Sequence, residues 1–128
     1  MKKLTLPLFA IVLILSACSK TDLVENQKAQ ELTWTVYDND TIVKEINSNQ
    51  SNFRLEMNAQ SQCSGHGIKL TIAIGSHTIF ESNIIDFPFE QTFYVNQNSN
   101  IKITTAYDDS RALSICDHPT VIDIKVNF

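Results

Sequence analysis

Asn52-Phe53-Arg54-Leu55-Glu56-Met57-Asn58 alternates strictly between apolar and polar side chains. In an extended chain successive side chains point to opposite faces. This stretch therefore sets Phe53, Leu55 and Met57 on one face and Arg54, Glu56 and Asn58 on the other. That is the pattern of a strand with one face in a core and the other in water.

The same period of two spreads in both directions. Upstream, Leu32, Trp34 and Val36 alternate with Thr33, Thr35 and Tyr37. Asp38-Asn39-Asp40 interrupts that run with residues that favour turns, and Thr41 to Ile46 reads as a return strand. Asn47 to Gln50 is a second polar break. Downstream, Gln60 to Gly67 (QSQCSGHG) reads as a loop, and Ile68, Leu70, Ile72 and Ile74 share one face of the next strand. Gly75-Ser76 suits a two-residue hairpin turn with glycine first, and His77 to Glu81 runs back. Phe87, Phe89 and Phe93 sit around Pro88. Ile101, Ile103 and Thr105 alternate up to Tyr107, and Asp108 to Pro119 reads as a second long loop. Val121 to Phe128 ends the chain with Ile122, Ile124, Val126 and Phe128 on one face. A helical period of 3.6 is missing outside the N-terminal segment. The expected fold is all-β, an antiparallel Greek-key β-sandwich of about seven or eight strands. Trp34 and the phenylalanines read as core, and the two methionines as core or N-terminal segment.

That N-terminal segment states a compartment. Lys2-Lys3 precedes an unbroken apolar run, Leu8 to Leu15, and Ser19-Lys20-Thr21-Asp22 turns polar at once. This reads as a secretory signal peptide. A membrane span needs ~20 apolar residues, and this run is far shorter. Leu15-Ser16-Ala17-Cys18 resembles the lipobox of bacterial lipoproteins. The resemblance implies a signal over residues 1–17, cleavage after Ala17, a diacylglyceryl group on the Cys18 thiol, and often acylation of the new amine, as by palmitate. Two or three acyl chains anchor a protein stably in a bilayer. Under the sorting rule of enteric bacteria, Ser19 in place of Asp points to the outer membrane. Residues 18–29 then read as the lipidated cysteine and a flexible tether of about 18 Å average reach, and residues 30–128 as the folded domain.

Removing Lys2 and Lys3 with the signal turns ten basic residues into eight, against fourteen acidic ones, a net charge of about −6. Nucleic acid and anionic membrane surfaces both require a basic patch, so neither is an expected partner. A domain of this size buries only about 60–68% of its unfolded surface on folding, and a covalent staple would help it.

Residues 51–127 resemble a C2 domain, a β-sandwich family associated with calcium and lipid. Asp86-Phe87-Pro88-Phe89-Glu90-Gln91-Thr92-Phe93-Tyr94-Val95 is similar to the family's proline, aromatic, acid and alternating aromatics. Ile101 to Asp109 is similar to the family's strand ending in Tyr-Asp-x-Asp. Calcium wants six to eight oxygen ligands, which in this family come from aspartates on two loops. Gln60 to Gly67 contains no carboxylate. Asp108 matches the first aspartate of the second loop, but Ser110 stands where the next belongs and Asp109 is out of register. The resemblance therefore implies a fold and does not extend to calcium.

With Cys18 assigned to lipid, Cys63 and Cys116 remain. An even pair in an exported chain is by default a disulfide. The two lie 53 positions apart, and closing a loop of that length is worth roughly 4 kcal/mol in the chain-entropy model. In a C2-like sandwich the loop before Ile68 and the loop after Tyr107 lie at the same end. A second possibility is a tetrahedral zinc site from Cys63-x-x-His66 and Cys116-x-His118, with Asp108, Asp109 and Asp117 able to join. A third is a weaker metal site built from His66, His118 and those aspartates around an intact disulfide. These spacings are not those of a standard zinc module, and exported thiols oxidise, so the disulfide leads. His77 reads as a surface residue, and no other cofactor is expected.

Ser64, His66 and Asp117 supply the residue types of a hydrolase. There is no Gly-x-Ser-x-Gly elbow, no His-Glu-x-x-His and no phosphate-binding glycine loop. Carboxylates such as Glu56 and Asp123 fall on solvated strand faces. The sequence thus predicts a non-enzymatic, membrane-anchored envelope lipoprotein that binds an envelope or secreted protein. Its contact surface would be the loops around Cys63 and Cys116, or an edge strand. Small lipoproteins that dock secretion machines or inhibit lysozyme fit that description, and no motif selects either. The competing reading is a metal-binding lipoprotein using His66 and His118.

Overall fold

The computed structural model describes residues 31–128. The signal, the lipobox with Cys18 and the tether lie outside the described residues. Alternation dictates the elements: β1 (Glu31–Tyr37), β2 (Thr41–Ser48), β3 (Asn52–Ser61), β4 (Gly67–Ile74), β5 (His77–Ile84), β6 (Phe89–Tyr94), β7 (Ser99–Asp108) and β8 (Val121–Asn127). No helix occurs among the described residues.

The strands pair as a nest. β4 and β5 form a hairpin closed by Gly75-Ser76, with Ile74 opposite His77. Outside it β3 pairs with β6, β2 with β7, and β1 with β8, all antiparallel. The chain is thus one long two-stranded ribbon, rolled so that β3 also pairs with β8 and β4 with β7. The result is two four-stranded sheets, β1-β8-β3-β6 and β2-β7-β4-β5. This is the eight-stranded jelly-roll order, two Greek keys in a double sheet.

The expected sandwich is present, and its edges differ from the expected boundaries in ways that matter. Thr41 to Ile46 does not return alongside β1, because β2 lies in the opposite sheet. The turn between them is satisfied locally: Asn39 takes φ 66°, Asp40 N–H donates to Tyr37 O at 3.1 Å, and Tyr37 N–H donates to an Asp40 carboxylate oxygen at 3.0 Å. The Asp40 carbonyl then accepts from Tyr107 N–H at 2.8 Å, handing the chain to β7. β3 runs on through Ser61, past the end of its alternation, with an irregular register between Ala59 and Ser61. Main-chain pairing with β8 carries it there without help from apolar side chains. β5 extends to Ile84, and Asp108 belongs to β7.

The inward faces form a single core. Phe53, Leu55 and Met57 of β3 meet Ile68, Leu70 and Ile72 of β4, Ile101 and Ile103 of β7, and Ile122, Ile124 and Val126 of β8, all essentially without exposure. Full burial of each such side chain is worth about 1.5–3 kcal/mol. Phe93 stacks on Phe53 at 5.3 Å between ring centres and meets Phe80 edge-on at 5.0 Å, joining the two sheets. Across the sandwich the half-buried Trp34 indole N–H donates to Thr105 Oγ1 at 3.0 Å, which ties β1 to β7.

Candidate functional site: the disulfide-held loop pole

Antiparallel nesting sends the connections 38–40, 62–66, 85–88 and 109–120 to one pole of the sandwich. Three are short, and the last is twelve residues long. A loop of that length has more backbone than the strand pairing needs, so something must hold it.

Several contacts do. Cys63 and Cys116 are joined in a disulfide, with Cα atoms 5.6 Å apart. Gly65 has φ 85°, and a Cβ there would stand 2.2 Å from the Arg111 carbonyl oxygen. Only glycine lets the two loop backbones approach so closely. Thr120 N–H donates to Asp38 Oδ1 at 2.8 Å. Gln62 Nε2 donates to the carbonyls of His66 and Ile85, both at 2.7 Å. Asp108 starts the long loop by accepting from Ser110 N–H at 3.2 Å, from Ser110 Oγ at 3.1 Å and from Asn83 Nδ2. Burial pushes the Asp108 carboxyl up, but these hydrogen bonds and the nearby Arg111 charge outweigh it and hold the group below the usual carboxylate range.

His66 is a buried post under the loop, only 6% exposed. Its Nε2 lies 3.2 Å from the Ser114 carbonyl and its Nδ1 lies 2.8 Å from the Tyr107 hydroxyl. A carbonyl can only accept, so Nε2 carries hydrogen and Nδ1 accepts from Tyr107. Burial, then the negative charges of Asp38, Asp109 and Asp108, raise the Tyr107 hydroxyl above its ordinary value, which keeps it a donor. Above this pair opens a cavity of about 480 Å³ whose lining includes Asp38, His66, Tyr107, Asp109, Leu113 and Ile115. Leu113 is 88% exposed and Ile115 97%.

The structure divides the predicted site residues into groups. Cys63, Cys116, Asp117 and His118 offer ligand atoms within 4.8 Å of one another, with both sulfurs engaged in the disulfide. His66 and Asp109 line the cavity instead, and Asp108 faces Asn83 and Ser110. Neither ring nitrogen of His66 bonds to Ser64 or Asp117; Tyr107 and Ser114 take them. His77 is exposed at the opposite pole. Sequence reasoning missed the roles of Asp38, Ser61, Gln62, Asn83 and Tyr107. Tyr107 was legible only as a strand end, because its partner lies 41 positions away.

No family model matches the chain, and no curated protein matches it. Among solved structures, the chain is similar to PliG of Aeromonas hydrophila, a periplasmic lysozyme inhibitor of g-type lysozyme. The identity is 10%, the match covers 81% of this chain and 91% of that one, and the TM-score is 0.49. For PliG of Salmonella Typhimurium the values are 7%, 81%, 93% and 0.45. The insecticidal delta-endotoxin Cry8Ea1 of Bacillus thuringiensis is 14% identical over 85% of this chain and 25% of its own, with a TM-score of 0.46.

Proposed function

We propose that this chain is a non-enzymatic envelope lipoprotein, anchored through Cys18, whose loop pole binds a protein partner. The observation that carries the reading is the pair Leu113 and Ile115. They are the most exposed large hydrophobic side chains among the described residues, on a loop fixed at both sides by a disulfide and a buried histidine. A preformed loop gives up little further conformational entropy on binding, so its apolar contacts count toward affinity. The direction of β1 fits an anchor at the N-terminal side. Glu31 pairs with Asn127 and Tyr37 with Val121, so the chain enters the domain at the pole opposite the long loop, about 20 Å away at strand rise. A tether from Cys18 would leave the loop pole facing outward.

The test replaces Leu113 with a photo-crosslinking residue in the native envelope and does the same at Ile79 on the opposite pole. A discrete adduct from position 113, lost with Ile115→Ser and absent from position 79, is the expected result. Equal labelling at both poles would sink the reading. Two partner classes are separable with purified domain: a lysozyme-driven lysis assay detects inhibition, and its absence leaves secretion or envelope machinery. Metabolic labelling with a clickable fatty acid should mark the wild-type chain, and Cys18→Ala should lose the mark.

A further inference from the structure

We infer that the Cys63–Cys116 staple is a redox-gated metal site. Once reduced, the two cysteine thiolates, His118 Nε2 and an Asp117 carboxylate oxygen bind one zinc ion. This is independent of partner binding by the loop.

The four donors already converge within 4.8 Å. Two thiolates, an imidazole and a carboxylate form a four-ligand set suited to tetrahedral zinc. The orientation of His118 is the second, independent observation. Its Nδ1 lies 2.8 Å from Ser61 Oγ, and the Ser61 hydroxyl donates its one hydrogen to the Pro119 carbonyl at 2.7 Å. Ser61 can therefore only accept from the ring, so Nδ1 carries the hydrogen. Nε2 is left with a free lone pair, and it faces Cys63 Sγ at 3.4 Å and Asp117 Oδ1 at 3.8 Å. A hydrogen bond on one ring nitrogen that fixes the tautomer and aims the other is how a protein prepares a histidine ligand. Ser61 itself sits on β3, paired with Val121, so the support is built on a strand.

The step balances with a dithiol as reductant. One of its thiolates attacks a cysteine sulfur, the S–S bond breaks, and its second thiol completes the exchange. Two electrons pass to Cys63 and Cys116, the reductant leaves as its own disulfide, and its two protons pass to the cysteines. Zinc then displaces those protons to solvent. The sulfurs need only separate to about 3.8 Å, the tetrahedral edge for a Zn–S bond of ~2.3 Å. The long loop would thus be clipped to β3 and its neighbouring loop in either redox state. His66 takes no part, since Tyr107 and Ser114 occupy its nitrogens.

The experiment uses the full chain, oxidised and phosphine-reduced, under anaerobic conditions. Zinc uptake is read by native mass spectrometry and chelator competition, and cobalt substitution by visible absorption. The expected result is no zinc on the oxidised protein and one equivalent on the reduced one, with a thiolate-to-cobalt band and tetrahedral ligand-field absorption. Ser61→Ala should weaken binding by the ~10–100-fold typical of an outer-shell partner, His118→Ala by more than that, and His77→Ala not at all. Failure of the reduced chain to take up zinc overturns the inference. So does equal affinity in His118→Ala, or an octahedral cobalt spectrum. If reduction unfolds the chain, zinc must restore its strand circular dichroism, and failure to do so is equally fatal.

Discussion

The two poles of the sandwich solve the same connection problem differently. At the hairpin pole, residues 49–51, 75–76 and 95–98 join strands with two to four residues each. Gly75 has φ 60° there, and a Cβ on it would meet nothing within 4 Å. At the loop pole the closing connection alone has twelve residues, and the glycine with positive φ, Gly65, is pressed against Arg111. One pole merely turns the chain. The other keeps extra length and spends a disulfide, a buried histidine and an aspartate on holding it in shape. Length that the strand pairing does not require, held in this way, is what singles out this pole for the proposed contact surface.

That contrast can be broken, and the largest effect should come from the staple. Cys63→Ser with Cys116→Ser, compared with wild type by denaturant unfolding in metal-free buffer, should lose roughly 4 kcal/mol, with hydrogen-exchange protection falling first in residues 109–120. Uniform loss across both poles would mean that the disulfide serves the whole sandwich and not the loop.

The two glycines give the sharpest comparison. Gly75→Ala should cost only the ~1–2 kcal/mol of holding a non-glycine residue left-handed. Gly65→Ala adds a collision with backbone that cannot swing aside, and should cost visibly more in the same unfolding assay. Equal costs would remove the case for tight packing of the loop pole.

Asp108 offers a smaller, pH-dependent effect. Its folded pKa lies below the ordinary carboxylate value, so the stability it contributes is complete above the unfolded value of ~3.9 and is lost as pH falls through the folded value. Asp108→Asn should therefore flatten the acid limb of a stability-against-pH curve and leave the neutral-to-basic slope unchanged. The smallest effect on stability is expected at the loop tip. Leu113→Ser and Ile115→Ser should each fall within about ±0.5 kcal/mol of wild type, while Ile115→Ser abolishes the crosslink formed from position 113.

Much of the sandwich is legible in the sequence. Phe53, Leu55 and Met57, and Ile122, Ile124 and Val126, point inward as their alternation requires. The Gly75-Ser76 hairpin stands where the glycine suggested it. With Cys18 expected to carry lipid, a Cys63–Cys116 disulfide was the leading expectation ahead of a zinc site, and the structure joins the two. Boundaries failed where alternation lapses: Ala59, Gln60 and Ser61 are strand by main-chain pairing alone. At the candidate site the residue types were visible but their grouping was not. His66 and His118 look equivalent in sequence, each just after a cysteine, yet one is a buried post and the other faces the sulfurs.

The sequence by itself determined that this chain builds strands and which face of each is buried. These are local properties, since side chains alternate along any extended backbone. Only the tertiary structure decided that β2 leaves β1 for the other sheet, that β1 closes against β8, and that each histidine has its own company. Those outcomes depend on partners many positions away, Asp123 against Thr35 and Tyr107 against His66. No local period encodes a contact between residues that only the rolled ribbon brings together.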